Sequence, residues 1–142
     1  MEKDIVSQMR AFNRFYTSII GVTNAHILES EYSLTEVRVM YEIYHNAGIN
    51  ARQLQTIIKV DEGYLSRLIG KLVRDKIISK IRSDEDNRLF SLTLSKKGEE
   101  VFLPLQRRSS DAVATLVHHL NSSQQLELMQ LLERLTQLLT KK

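Results

Sequence analysis

Cysteine and tryptophan are absent from this 142-residue chain, proline occurs once and glycine five times. Without cysteine there are no disulfide staples, no thiolate zinc ligands and no thiol redox sensor, which fits a reducing compartment. No apolar run reaches the roughly 18 to 20 residues that a membrane span requires. The opening Met1-Glu2-Lys3-Asp4 is unlike the basic and then apolar start of a signal peptide. The chain is therefore expected to be soluble and cytoplasmic, with no membrane partner. A glycine-rich phosphate loop, a His-Glu metal motif and a nucleophile elbow are all missing. No catalytic residue and no cofactor are assigned, and an enzyme is not expected. Repeats, linkers and low-complexity tracts are missing too, so residues 1–142 read as one domain.

What is present is charge, unevenly spread. The net charge is +3. Between Lys59 and Lys97 there are ten Lys or Arg against six Asp or Glu, whereas the rest of the chain has ten against eleven. The cationic excess sits in the middle third, where an acidic partner would be met.

At the centre of that excess lies DEGYLSRLIGKLVRDK, residues 61–76. Leu65, Leu68, Ile69 and Leu72 recur at i, i+3, i+4 and i+7 and form one face of a helix. Tyr64, Arg67, Lys71 and Arg74 form a second stripe, one aromatic hydroxyl and three cations, which suits a polyanion. Asp61 is placed to cap the amino end, and Gly63 leaves room there for a close approach. The stretch reads as a recognition helix. The plainer alternative is an amphipathic surface helix with solvated charges.

The chain around it supports the first reading. Residues 4–28 form a long helix with a heptad-like seam of Ile5, Met9, Phe12, Tyr16, Ile19 and Thr23, widened by Phe15 and Ile20. Ser33-Leu34-Thr35-Glu36 carries a capping-box signature. Val37, Met40, Tyr41 and Tyr44 are expected to supply the buried face of the helix it opens, which stops near Gly48. Asn50 caps a short helix, residues 51–58, with Leu54, Ile57 and Ile58 inward. Two short helices with a brief turn between them, the second one basic outside, make a helix-turn-helix. Period-two patterns over 77–82 and 88–94, joined by the polar loop 83–87, then make a β-hairpin wing. Ser95 caps a helix to about Leu120, interrupted or kinked at Pro104. A last helix, capped by Asn121 or Ser122, repeats Leu128, Leu131, Leu135 and Leu138. The expected fold is mainly α with a small β-hairpin wing.

This order of elements resembles the MarR family of winged helix-turn-helix transcription regulators over nearly the whole chain. Four local matches carry the resemblance: Ser33-Leu34-Thr35; the run from Tyr64 to Leu72; Asp86-Asn87-Arg88, similar to the family's Asp-x-Arg wing; and Leu94-Ser95-Lys96-Lys97-Gly98, similar to Leu-Thr-x-x-Gly with Ser for Thr. The resemblance implies a homodimer, with 4–28 and 95–142 as dimerisation helices and 33–94 as the winged helix-turn-helix. It also implies double-stranded DNA as partner, at a pseudo-palindromic operator read by one recognition helix per subunit. Ser66 and Arg67 are the implied base-edge contacts, and Tyr64, Lys71 and Arg74 the phosphate contacts. Arg88 is implied to enter the adjacent minor groove, with Asp86 pairing an arginine such as Arg82 to hold the wing.

Family members often bind small aromatic effectors between the dimerisation helices and the winged domain, which points to Tyr16, Tyr41, Tyr44 and Phe102. The family's habit further implies a ligand-released repressor. Two alternatives stay open: a winged helix that serves only protein interaction, and a zinc-responsive regulator using His26, His45, His118 or His119. The adjacent His118 and His119 point about 100° apart on a helix, so no metal site is assigned.

Overall fold

A computed structural model describes residues 1–28, 30–82 and 88–141, with backbone alone for 22–28. The elements are α1 (Glu2–Leu28), α2 (Leu34–His45), α3 (Ala51–Ile58), α4 (Glu62–Arg74), β1 (Ile78–Arg82), β2 (Phe90–Leu94), α5 (Lys96–Val117) and α6 (Ser122–Leu139). Each helix start after α1 is fixed by a side chain that accepts an otherwise orphaned N–H. Ser33, Asn50, Asp61, Ser95 and Asn121 do this for α2 to α6 in turn. At α3 and α6 the box closes, because Gln53 and Gln124 reach back to the backbone of their caps. At α2 only half of the expected box forms. The Ser33 hydroxyl accepts from the Glu36 N–H, but the Glu36 carboxylate is taken elsewhere, by Lys71.

One core cluster joins α2 to the start of α5. Val39, Met40 and Ile43 of α2 meet Leu54 of α3, Leu65, Leu68, Ile69 and Leu72 of α4, Ile77, Ile78 and Leu92 of the hairpin, and Phe102 of α5. Each large apolar side chain so buried contributes about 1.5 to 3 kcal/mol. The buried face of α2 differs from the expectation: Val39 and Ile43 supply it with Met40, while Tyr41 and Tyr44 stand exposed at its edge. Ile57 is also exposed, since the eight-residue α3 turns only Leu54 fully inward. Placing α3 against its neighbours needs a left-handed residue at its end, and Lys59 takes φ 59°. The side-chain amide of Gln55 donates to the Val60 carbonyl and braces the turn into α4.

The hairpin is antiparallel, with Ile78 opposite Leu94 and Arg82 opposite Phe90. Gly48, at φ 92°, donates to the Leu92 carbonyl, and Leu92 donates back to Ile49, so the loop after α2 is stitched to the wing. Behind the hairpin, the Ser95 hydroxyl donates to the Lys76 carbonyl and the Ser95 N–H to the Ile77 carbonyl. Gly98 is forced here, because a Cβ would lie 2.2 Å from that same oxygen. This is the physical content of the Leu-Ser-x-x-Gly match. α5 runs through Pro104 as one helix, so of the expected interruption or kink the interruption does not occur, and it ends at Val117. The carbonyl freed by the missing proline N–H belongs to Glu100, which faces water.

The two ends of the chain are built differently. α1 lies along α5 and touches α2. No described α1 side chain is buried, and Ile5, Val6, Phe12, Phe15 and Tyr16 are exposed. α6 has no buried residue at all, although Leu126, Met129, Leu131, Leu132, Leu138 and Leu139 give it ample apolar surface.

Candidate nucleic-acid interface

The burial of Leu65, Leu68, Ile69 and Leu72 fixes the rotation of α4 and thereby decides what faces out. Tyr64, Ser66, Arg67 and Arg74 are exposed. The Asp61 carboxylate accepts from the Tyr64 N–H at 3.0 Å and sets the first turn. Gly63 has an internal reason beside the one read from the sequence: a Cβ there would meet the Asp61 cap oxygen at 3.2 Å and the Arg67 guanidinium at 3.7 Å. The glycine leaves space for the cap oxygen, whereas the distance to Arg67 is an ordinary contact.

Lys71 behaves unlike the rest of its stripe. It is half-buried, and its ammonium donates to both oxygens of Glu36, at 3.1 and 3.0 Å. Hydrogen bonding to that carboxylate raises the Lys71 pKa above its ordinary value, outweighing the opposing effect of burial. The Tyr32 ring lies below it, 5.7 Å from Nζ. Burial raises the Tyr32 pKa too, with Glu31 adding to the effect. Lys71, read from the sequence as a phosphate contact, therefore already has a strong partner within its own chain.

On the wing, Arg82 and Arg88 are exposed. Asp86, the expected partner of Arg82, lies outside the described residues. Arg82 packs over the Phe90 ring at 5.5 Å, and Lys80 covers that ring at 4.2 Å. Strand alternation and cross-strand register place these three side chains together, since Lys80 and Arg82 share a face and Arg82 lies opposite Phe90. Sequence reading passed over Lys80. The period-two pattern that placed the strand also held the signal, an aromatic residue opposite one of two cations spaced by two.

Three of the four residues assigned to an effector crevice come together. The Phe102 ring lies 6.4 Å from Tyr41 and 5.2 Å from Tyr44, and His45 packs on both tyrosines at 4.4 and 5.2 Å. Tyr16 is placed otherwise, stacked on Phe12 along α1 at 5.6 Å. His118 and His119 stand 6.3 Å apart with nearly perpendicular rings. Among the described residues no three His, Cys, Asp or Glu side chains converge as a metal site, and the His26 side chain lies outside them.

The helix-turn-helix with its exposed basic face and hairpin lies within residues 24–105, which match the family described as Transcriptional regulator SarA/Rot. The chain belongs to the SarA/Rot family of transcriptional regulators. As a SarA/Rot protein it has the MarR-type winged-helix fold. A MarR family protein from Bacillus stearothermophilus superposes with a TM-score of 0.85 over 99% of both chains at 11% identity. FabT of Streptococcus pneumoniae, solved in complex with DNA, superposes with a TM-score of 0.78 at 21% identity, covering 92% of this chain and 96% of that one. In sequence, the chain is 40% identical over 55 residues to the HTH-type transcriptional regulator BilQ of Clostridium symbiosum, 39% of this chain and 38% of that protein. The alignment thus spans well under two thirds of that curated relative. The family and BilQ are both described as transcriptional regulators. Among the described residues no helix is long and apolar enough to cross a membrane.

Proposed function

We propose that this SarA/Rot protein is a cytoplasmic, sequence-specific double-stranded DNA-binding regulator that acts as a homodimer. The observation that carries the reading is the outer face of α4, where Tyr64, Ser66, Arg67 and Arg74 are exposed beside a wing bearing Lys80, Arg82 and Arg88. Ser66 and Arg67 sit in the first two turns of α4, where a helix entering a major groove offers its side chains to base edges. Tyr64 and Arg74 flank them as phosphate contacts, and Arg88 reaches the minor groove with Asp86 and Arg82 holding the wing. FabT, of the same fold, has been solved with DNA, which supports this assignment.

The unburied apolar faces of α1 and α6 support the homodimer. A second copy of the chain satisfies both at once, and residues 1–142 then act as one unit whose two-fold axis calls for a pseudo-palindromic operator. We further read the protein as a repressor released by a small aromatic molecule. Tyr41, Tyr44 and Phe102 supply the site on α2 and α5, and Tyr16 supplies α1. Release requires that the ligand favour a dimer geometry other than the DNA-bound one.

The test is selection of duplexes from a randomised pool, followed by titration of the enriched duplex and a scrambled one at several salt concentrations. A preference of about a thousandfold, with affinity falling steeply as salt rises, is expected. Absence of enrichment, with weak and equal binding to both duplexes, makes the winged helix a protein-interaction module instead. Replacing Arg67 by Ala should cost about 1 to 3 kcal/mol of operator affinity and relax the preference at one base pair per half-site.

A further inference from the structure

Glu36 stands at the amino end of α2 and Lys71 in the last turn of α4, thirty-five residues apart in sequence. Both are placed where the helix ends favour them: a carboxylate at a positive amino terminus, an ammonium at a negative carboxy terminus. The Glu36 carboxylate is buried, and both its oxygens accept from Lys71. α2 and α4 share the apolar core, and this pair adds a direct polar tie between α2 and the helix that carries Arg67. The Tyr32 ring closes the pair from below, and Lys97 donates to the Asp75 carbonyl at the end of α4. Glu31, Tyr32, Lys71, Asp75 and Lys97 together line one polar cleft of about 250 Å³ behind α4.

A cation engaged this way by a buried carboxylate has little to gain from a phosphate, because leaving Glu36 would strand a desolvated charge. We infer that Glu36 is a positioning residue for DNA binding: it withdraws Lys71 from the phosphate-facing stripe and uses it to fix α4 against α2, so that Ser66 and Arg67 meet the groove in register. The inference rests on the DNA-binding reading above. It divides the four-residue stripe into Tyr64, Arg67 and Arg74, which face the nucleic acid, and Lys71, which is half-buried on Glu36 and aims them.

The experiment compares the parent protein with Lys71→Met, Glu36→Gln, the double variant and Lys71→Arg, using the selected duplex and its scrambled control across a salt series. Lys71→Met should weaken binding to the selected duplex at least tenfold. The slope of log K against log salt and the scrambled-duplex affinity should both stay at their parent values. The double variant should stay at least tenfold weaker than the parent, since it lacks the same tie, and Lys71→Arg should bind like the parent. Glu36→Gln alone frees the Lys71 ammonium and should steepen the slope by about 0.9, the increment of one phosphate contact. Far-UV circular dichroism at the assay temperature confirms that each variant is folded. If Lys71→Met lowers the slope by about 0.9, Lys71 is a phosphate contact, and if the double variant binds like the parent, the tie is dispensable; either result overturns the inference. It also fails if Lys71→Met binds like the parent. Weak, equal binding of the unmodified protein to both duplexes removes the DNA-binding reading and this inference with it, and that outcome is visible before any variant is made.

Discussion

The winged helix-turn-helix and the carboxy-terminal helix α6 are written in the same alphabet and end in opposite situations. In the first, Leu54, Leu65 and Leu72 are buried by their own chain. In the second, Leu131, Leu132 and Leu138 repeat at comparable helical spacing and all remain exposed. Local pattern makes a helix in both cases, but only the first has other elements folded over its apolar face. An amphipathic repeat therefore announces that a face needs covering and does not say by what. In α2 to α5 the cover is intramolecular, and the stability it brings is independent of concentration. For α1 and α6 we assign the cover to a second subunit, which makes their contribution a matter of mass action.

Four measurements press on that contrast. The largest effect should come from Leu72→Ala, at about 2 to 5 kcal/mol of unfolding free energy by chemical denaturation. The loss should be the same at low and high protein concentration. Next, charging the other region with Leu131→Glu and Leu138→Glu should weaken the dimer at least a hundredfold, equivalent to about 2.7 kcal/mol. Sedimentation equilibrium reads this as a shift to monomer while the far-UV spectrum is kept. An unchanged mass would mean that α6 is covered by something other than a second copy.

Gly98 lies in the first turn of α5, where the helix leaves the hairpin. Gly98→Ala should cost about 1 to 3 kcal/mol in thermal or chemical unfolding, because its methyl would strike the Ile77 carbonyl. A stabilised variant, as helix propensity alone predicts, would refute the close approach. The smallest effect should come from pH. Glu36 raises the Lys71 pKa above its ordinary 10.5, so the pair's stabilisation is present in full below that value and is lost as pH rises through the higher folded one. Tyr32, likewise raised from 10.0, adds in the same direction. Unfolding midpoints should be flat from pH 7 to 9 and fall above about pH 10, less so in the Lys71→Met, Glu36→Gln double variant.

The α4 stripe was legible because one period sets both faces of a helix: once Leu65, Leu68 and Leu72 turn inward, Arg67 and Arg74 have to turn out. The caps Asn50, Asp61 and Ser95 were legible for a similar reason, since each meets its N–H within three residues. Tyr41 and Tyr44 misled because an aromatic ring at the edge of an apolar stripe satisfies the pattern whether it lies inside the core or beside it. The core turned out to be filled by Val39 and Ile43. Glu36 misled differently. Its spacing from Ser33 offered it a local hydrogen bond, but an ammonium thirty-five residues away formed two.

Residue order alone determined the succession of helices, the hairpin and the direction each amphipathic face must point, because these depend on contacts within one or two turns of chain. Partner choice was beyond it. That Lys71 pairs with Glu36, that Arg82 and Lys80 lie on Phe90, and that Gly98 touches Ile77 were settled when distant segments packed. Such contacts depend on how α2, α4, the hairpin and α5 fit around one shared core, and no local period records that distance.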